Sequence, residues 1–544
     1  MKNKVVIFLV LLFLAFTGFG AQVTYAAEPQ ITIYVVPAIT DAIILPTSSI
    51  SSSYISNSIS ITASPGEYEP ASFVLRSSGA ALTVLPIAND LTGPATIPAA
   101  NISIRAVGVW YQAGEWLFAW EPGWGKTLTP ELLLNDASLV QVLGTDNYLK
   151  LTNGSQLMIS SPDGIAGIPP NPLNTEFPVA DSATLQPVAI PADTNRQFWV
   201  TVRTPEDAPP GTYTGTIDLM SGSENVGQIQ VTLSVLPVRL TEPRLTYGLY
   251  YLGIPSVAGR ISYEEKNTTQ FRAELWDMAH HGTMPTTCCS IGQLPNVLSA
   301  MVESGLSGGP LFYLGLWHGD NSFDLANVPT VITMATNYGF TDVYFQIWDE
   351  PGSSEIDAVR ARAGAVHAAG GKVWAALSLS IGGGDIPTAK ARMSSLADVL
   401  DIGLLSTGHP VWLGQNVYDP ALAKAYHDYG HKVLCYNAPQ TGVEKPLSYR
   451  IMYGLLMWQK DYDGTLNFAY QFNPAWGHGN LWDDFIPETL GQPQRRRSHI
   501  FAYPTTNGVV GTIEWEGWRE GIDDIRLSQR TGQFGGFATL ASLR

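Results

Sequence analysis

The sequence predicts a multidomain β and α/β chain, an N-terminal β-sandwich followed by a (β/α)8 barrel of the TIM type. Two observations carry that expectation. From about Glu28 to Pro243, apolar residues fall in short alternating runs with turn residues between them and little at helical spacing. After Leu236-Pro237, strand-like runs alternate with helical ones until eight strands have been counted. A length of 544 residues suits two such cores rather than one. The expected division is a signal peptide over 1–27, a sandwich over 28–242, and a barrel with a C-terminal segment over 243–544.

In the first region, Ile31–Val36, Ser72–Arg76, Ile102–Trp110, Gln197–Arg203, Thr214–Leu219 and Gln228–Leu236 read as strands. Asp207-Ala208-Pro209-Pro210-Gly211 reads as a turn, because proline fixes φ and glycine admits positive φ. Pro130–Leu134 suits at most a short helix, and the Ser/Thr-dense Thr47–Ser60 reads as an exposed segment. In the second region the strands are Leu245–Gly253, Met284–Ser290, Leu311–Trp317, Val343–Trp348, Lys372–Leu377, Asp401–Leu405, His431–Tyr436 and Gly464–Phe472. Tyr263–His281 is helical, with Phe271, Leu275 and Met278 on one face.

Composition narrows the partners. A formal net charge of −17 argues against nucleic acid and anionic membrane surfaces. The one basic run, Arg495-Arg496-Arg497, reads as a solvated loop. Lys2 and Lys4 precede an apolar run from Val5 to Phe16, and Thr24-Tyr25-Ala26 offers small residues for cleavage, so export to an extracellular address is expected. No later run is long enough to span a bilayer. Three cysteines, Cys288, Cys289 and Cys435, give neither a disulfide framework nor a ligand pattern and read as buried small residues. His280-His281 are adjacent rather than four apart, and Gly382-Gly383-Gly384 lacks a phosphate-binding lysine. No metal and no cofactor are therefore expected.

The stretch with chemistry in it is Val343–Pro351, a buried strand that runs into Asp349 and Glu350 and is stopped by Pro351. Ser354 and Asp357 suit a capping box for the helix that follows, so these two acids are free for another task. Acids at the C-terminal end of a barrel strand sit where barrel enzymes keep their chemistry. Nearby strand ends carry Trp317, Trp348, Trp412, Tyr436 and Tyr470, and the loop Asn473–Asp484 adds Trp476, His478 and Trp482. Aromatic faces are platforms for sugar C–H bonds, so a carbohydrate cleft is expected, with Trp317, Trp348, Tyr436, Tyr470, Trp476, His478 and Trp482 as its lining.

Five stretches carry a resemblance to a known family. They are Gly66-Glu67-Tyr68-Glu69-Pro70, Pro130-Glu131-Leu132-Leu133-Leu134, Pro209–Gly215, Trp348-Asp349-Glu350-Pro351 and Glu514–Asp524. In this order the chain resembles glycoside hydrolase family 123, which includes β-N-acetylgalactosaminidases, and the related domain family numbered 4091. The resemblance implies a sandwich joined to a catalytic barrel, with Asp349 and Glu350 matching an adjacent catalytic pair. Relatives continue past the Gly-Ile-Asp-Asp segment into a longer helix, whereas Thr531–Arg544 is short and glycine-containing, which puts the last helix in question.

Adjacent acids are poorly placed to attack one anomeric carbon from opposite sides, as separate carboxylates about 5 Å apart do. They suit a substrate whose own 2-acetamido oxygen closes on C1, for which effective molarities reach about 10⁵ M or more. On this reading the protein is a retaining β-N-acetylhexosaminidase. Glu350 is the acid and base, and Asp349 stays ionised against the acetamido N–H. Tyr436 or Tyr470 holds the acetamido oxygen. Two alternatives stand beside it. One draws a separate nucleophile from Asp419, Asp483 or Asp484 for a non-acetamido sugar; the other is a non-catalytic glycan-binding envelope protein.

Overall fold

The computed structural model describes residues 30–113, 126–160, 179–255, 265–379, 385–407, 418–472, 481–482, 497–506 and 508–531. The segments holding residues 1–27, Trp412, Trp476, His478, Asp483, Asp484 and Gly382–Gly384 lie outside them.

Two sheets face each other in the first half. One has the order Gln30–Val36, Tyr68–Ser78, Asn195–Arg203, Ile102–Ala113, Lys126–Leu134, all antiparallel. The other runs Val188–Ile190, Leu82–Ala88, Gly211–Ser221, Glu224–Val235, Ser58–Ala63, its last pair parallel. In Glu224–Val235, Ile229, Val231, Leu233 and Val235 are buried while the residues between them are not. That period of two is what places one face on the core. Phe73, Phe198, Tyr213 and Leu219 fill the space opposite, and the Phe73 and Phe198 rings stack at 5.1 Å. Gly211 takes φ +143°, and a Cβ there would sit 2.6 Å from Pro94 Cγ, so the turn before this strand requires glycine.

Pro130–Leu134 belongs to the edge strand Lys126–Leu134 and is not a helix. The proline is tolerated because the strand is at the edge and the register shifts beside it. The shift leaves Glu131 as the extra residue. Its buried carboxylate accepts from Trp110 Nε1 (2.6 Å), Gln112 Nε2 (2.5 Å) and Tyr503 O–H (3.1 Å), which ties the sandwich to the C-terminal half.

The second half is a closed barrel of eight parallel strands. We number them β1 (Thr246–Leu249), β2 (Met284–Thr287), β3 (Pro310–Tyr313), β4 (Asp342–Asp349), β5 (Lys372–Leu377), β6 (Ile402–Ser406), β7 (Lys432–Tyr436) and β8 (Gly464–Asn467), with β8 pairing back to β1. Helices occupy the connections: α1 (Thr268–His280), α2 (Leu294–Glu303), α3 (Val328–Asn337), α4 (Ile356–Ala368), α5 (Ile386–Ser394), α6 (Pro420–His427) and α7 (Pro446–Ile451). In α1, Phe271, Leu275 and Met278 face the barrel as their spacing requires, and Asn267 caps the start by accepting from Gln270 N–H at 2.9 Å. Ahead of α4 the cap is Glu355, whose carboxylate accepts from Gly352 N–H at 2.7 Å, in place of the Ser354 and Asp357 pair.

The last helix, α8 (Ile513–Thr531), is 19 residues long, so the family-like stretch Glu514–Asp524 is helical. It clamps the structure from outside. Trp515 Nε1 donates to Asp277 (2.9 Å), Trp518 Nε1 to Thr283 Oγ1 (2.9 Å), and Arg450 pairs with Asp524 (2.8 Å). Arg497 is buried against Glu444 and donates to Ala113 O, so this member of the basic run is no solvated residue. Cys289 and Cys435 are buried and Cys288 partly so, and none of the three is in a disulfide.

Candidate active site

Within the barrel, alternate residues point inward. Tyr344 and Gln346 follow that rule on β4, Gln346 lying opposite inward Trp374 of β5. The register then shifts, with Gln346 opposite Trp374 and Trp348 opposite Ala375, leaving Ile347 as the extra residue. Without this bulge Trp348 would face inward and Asp349 outward. With it, Trp348 packs outside the barrel under the Arg362 guanidinium (4.6 Å), and Asp349 lies opposite inward Ala376.

Glu350 comes next with φ +48°, a left-handed conformation costing about 1–2 kcal/mol for a residue with a side chain. Its N–H donates to Ala376 O (2.9 Å), and its Oε1 accepts from Tyr436 O–H (2.5 Å) at the end of β7. The Ser378 hydroxyl, just beyond β5, also bonds its carboxylate. Bulge and left-handed turn together bring two consecutive acids, which a regular strand would send to opposite faces, to one barrel mouth. Asn437, also left-handed at φ +63°, turns the chain away after Tyr436, its N–H held by Asn467 Oδ1 at 2.9 Å.

Asp349 is exposed to solvent at the barrel mouth, with protein crowded around its carboxyl. That crowding first, and the Glu350 charge second, push its carboxyl up to about 7. Burial also raises Glu350, but the Tyr436 and Ser378 hydrogen bonds and the nearby Arg392 charge act against that rise. Both carboxyls are thus held above their ordinary values. Burial, then Glu350, holds the Tyr436 hydroxyl well above its usual range. Tyr250, just past β1, is raised by burial and then by Asp349. Both phenols stay protonated donors beside the acids.

The raised Asp349 has a thermodynamic consequence. Its unfolded value is near the usual ~3.9, so between there and 7 the folded state holds the extra proton. The stability from protonated Asp349 is full below about pH 4 and is lost as pH rises through 7. Asp349→Asn should therefore gain in Tm relative to the parent as pH is raised from 5 to 8. A Tm difference that stays constant over that range would show a carboxyl of ordinary affinity for its proton.

Of the other sequence candidates, Tyr436 is at the acids, and Trp317 is half-buried on the loop beyond β3 with Nε1 on Asn321 (3.2 Å). Three are elsewhere. Trp348 faces α4, for the reason given. Tyr470 lies outside the barrel and donates to Asp277 Oδ2 (2.8 Å) beside Trp515, because the chain has left β8 by Asn467. Trp482 is buried between Trp110 and Tyr503 at the sandwich junction, its Nε1 on Pro504 O (3.0 Å). Asp419 caps α6 through Ala421 N–H (2.9 Å) and pairs with Lys390 (2.7 Å), which occupies it away from the acids. Tyr250, Ser378 and Arg392 were missed. Ser378 is the first polar group after the apolar run of β5, a usable signal; Tyr250 lies inside the run Leu245–Gly253, and neither it nor Arg392, on a helix, gave one.

A cavity of about 310 Å³, lined by Tyr68, Arg203, His280 and Arg519 among others, lies at the opposite end of the barrel, where helices return to strands. Its charges are largely matched: Arg519 pairs with Glu516, and Arg526 with Asp523.

No protein-family model matches the sequence, and no curated protein is significantly similar to it. Among solved structures the fold is similar to a family 123 glycoside hydrolase from Clostridium perfringens, described for glycolipid glycan hydrolysis. The TM-score is 0.61 at 10% identity, over 92% of this chain and 88% of that one. At that identity the likeness is one of fold. A GH5 xyloglucanase from Bacteroides ovatus aligns at TM-score 0.25 and 8% identity, over 87% of this chain and 99% of that one. D-Psicose 3-epimerase from Clostridium cellulolyticum H10 aligns at 0.32 and 11%, over 52% and 99%.

Proposed function

We propose that the chain is an exported glycoside hydrolase, a retaining β-N-acetylhexosaminidase working through its substrate's acetamido group on a (β/α)8 barrel. The observation that carries the proposal is the delivery of Asp349 and Glu350, adjacent in sequence, to one mouth, with Tyr436 on Glu350. The fold likeness to a family 123 enzyme agrees with it.

Consecutive side chains reach the same side of a sugar, so the second attacking group comes from the substrate. The acetamido oxygen forms a bond to C1 as the glycosidic C1–O bond breaks, and Glu350 gives its proton to the leaving oxygen. Positive charge spreads over the resulting oxazolinium, whose N–H donates to ionised Asp349. Water then gives a proton to Glu350 and attacks C1, the ring C1–O bond opens, and the anomeric configuration is restored. With Tyr470 on Asp277 and Tyr436 on Glu350, the Tyr250 hydroxyl is the donor for the acetamido oxygen. The family likeness makes N-acetylgalactosamine the first sugar to try.

A panel of aryl glycosides tests this. N-acetylhexosaminides should be hydrolysed and their 2-hydroxy analogues should not, and a thiazoline mimic of the cyclised intermediate should inhibit competitively. Equal hydrolysis of the 2-hydroxy substrates, or a trapped ester on a carboxylate, would sink substrate assistance.

A further inference from the structure

Arg392 lies on α5, six per cent exposed, and donates from Nη2 to the backbone carbonyl of Ser378 at 2.7 Å. A buried guanidinium is costly to desolvate and needs a compensating charge or a set of acceptors. Here it sits behind the serine whose hydroxyl bonds Glu350, close enough for its charge to act on that carboxylate. The groups that face Glu350 are Asp349 from its own strand, Tyr436 from β7, Ser378 beyond β5 and Arg392 from α5; Tyr250, beyond β1, feels both acids. Three of these, Tyr436, Ser378 and Arg392, favour the Glu350 anion. For Asp349 the causes acting on its carboxyl are crowding and a neighbouring anion.

We infer that Arg392 is a positioning residue which, through Ser378, holds the Glu350 carboxylate in place and favours its anion, and so sets the pH at which the acid of the hexosaminidase carries its proton. This rests on the hexosaminidase reading for its second half. The acetamido N–H requires an acceptor, so its arrival against Asp349 favours the anion there. The proton of the pair is then held on Glu350, where the glycosidic oxygen is to receive it.

The test follows the protonation of Glu350 directly. In protein labelled with ¹³C at the glutamate side-chain carboxyl, the resonance lost in Glu350→Gln identifies Glu350, and its midpoint is read by pH titration. Arg392→Gln keeps a donor for Ser378 O but removes the charge, and should raise that midpoint by about 1 pH unit, the low end for a nearby cation. Arg392→Lys keeps the charge and should leave the midpoint near the parent's. Ser378→Ala, which removes the hydroxyl link, should raise it, and it carries the test if Arg392→Gln fails to fold. On an aryl N-acetylhexosaminide the kcat/KM bell should move to higher pH with the midpoint, whereas a purely structural role would lower the bell in place. An unchanged Glu350 midpoint in Arg392→Gln or Ser378→Ala would overturn the inference. Absence of hydrolysis by the parent enzyme would overturn the hexosaminidase reading, while the titration still decides the role of Arg392.

Discussion

Glu350→Gln is expected to lose about 10²–10⁴-fold in kcat/KM on a hexosaminide with a poor leaving group, the usual contribution of a positioned acid. On an aryl glycoside whose phenol departs without a proton, the loss should be far smaller. The amide preserves the volume and can still accept from Tyr436, so the cradle at the end of β7 stays formed and the change isolates the proton. Asp349→Asn should behave differently. It acts on ring closure, before departure, so its loss should be similar on both substrates. Asp349 and Glu350 are a coupled pair, so the double variant should lose less than the product of the two single losses. Steady-state kinetics on the two leaving groups separate the roles. If both variants lost activity equally on both substrates, the division of labour between the adjacent acids would be wrong. A loss confined to KM would make them binding residues.

The parts of this site that were legible in the sequence are those that obey a regular period. Val433 and Cys435 alternate with Leu434 and Tyr436 along β7, and the alternation delivers Tyr436 to the mouth beside the acids. The eight strands and the helix of Phe271, Leu275 and Met278 were equally readable, because burying one face imposes a repeat on the chain. The failures occur where a repeat is interrupted. One extra residue at Ile347 exchanges the directions of Trp348 and Asp349, and nothing in the order of amino acids announces it. The same interruption explains how Asp349 gets inside at all. Tyr470 was read as a strand-end residue, but β8 is only four residues long and the chain has turned outward before reaching it. Pro130–Leu134 suits at most a short helix by its residues, yet Pro130 lies beside a register shift on an edge strand. Arg392 illustrates a different limit: its role depends on which carbonyl a buried side chain reaches across space.

Trp482→Ala is expected to destabilise the protein by about 3–5 kcal/mol, the usual cost of emptying a buried tryptophan site, with little change in KM. Trp482 is one per cent exposed, and its ring meets Tyr503 at 4.8 Å and Trp110 at 6.1 Å. Trp110 belongs to the sandwich and Tyr503 to the chain leading into α8, so the ring bridges the two halves of the molecule. Its Nε1 also satisfies Pro504 O, an acceptor that would lose this donor on truncation. Neighbouring Trp110 and Tyr503 both spend their polar atoms on Glu131, which holds them in place and prevents collapse into the space left behind. A rigid cavity is the expensive kind. Trp482→Phe, which keeps an aromatic ring but not the N–H, should recover much of the loss and leave the cost of one hydrogen bond, about 1 kcal/mol. Thermal and denaturant midpoints of the three proteins measure this, alongside KM on the best substrate. A KM raised several-fold with an unmoved midpoint would return Trp482 to the sugar cleft and show that its segment leaves the junction when substrate binds.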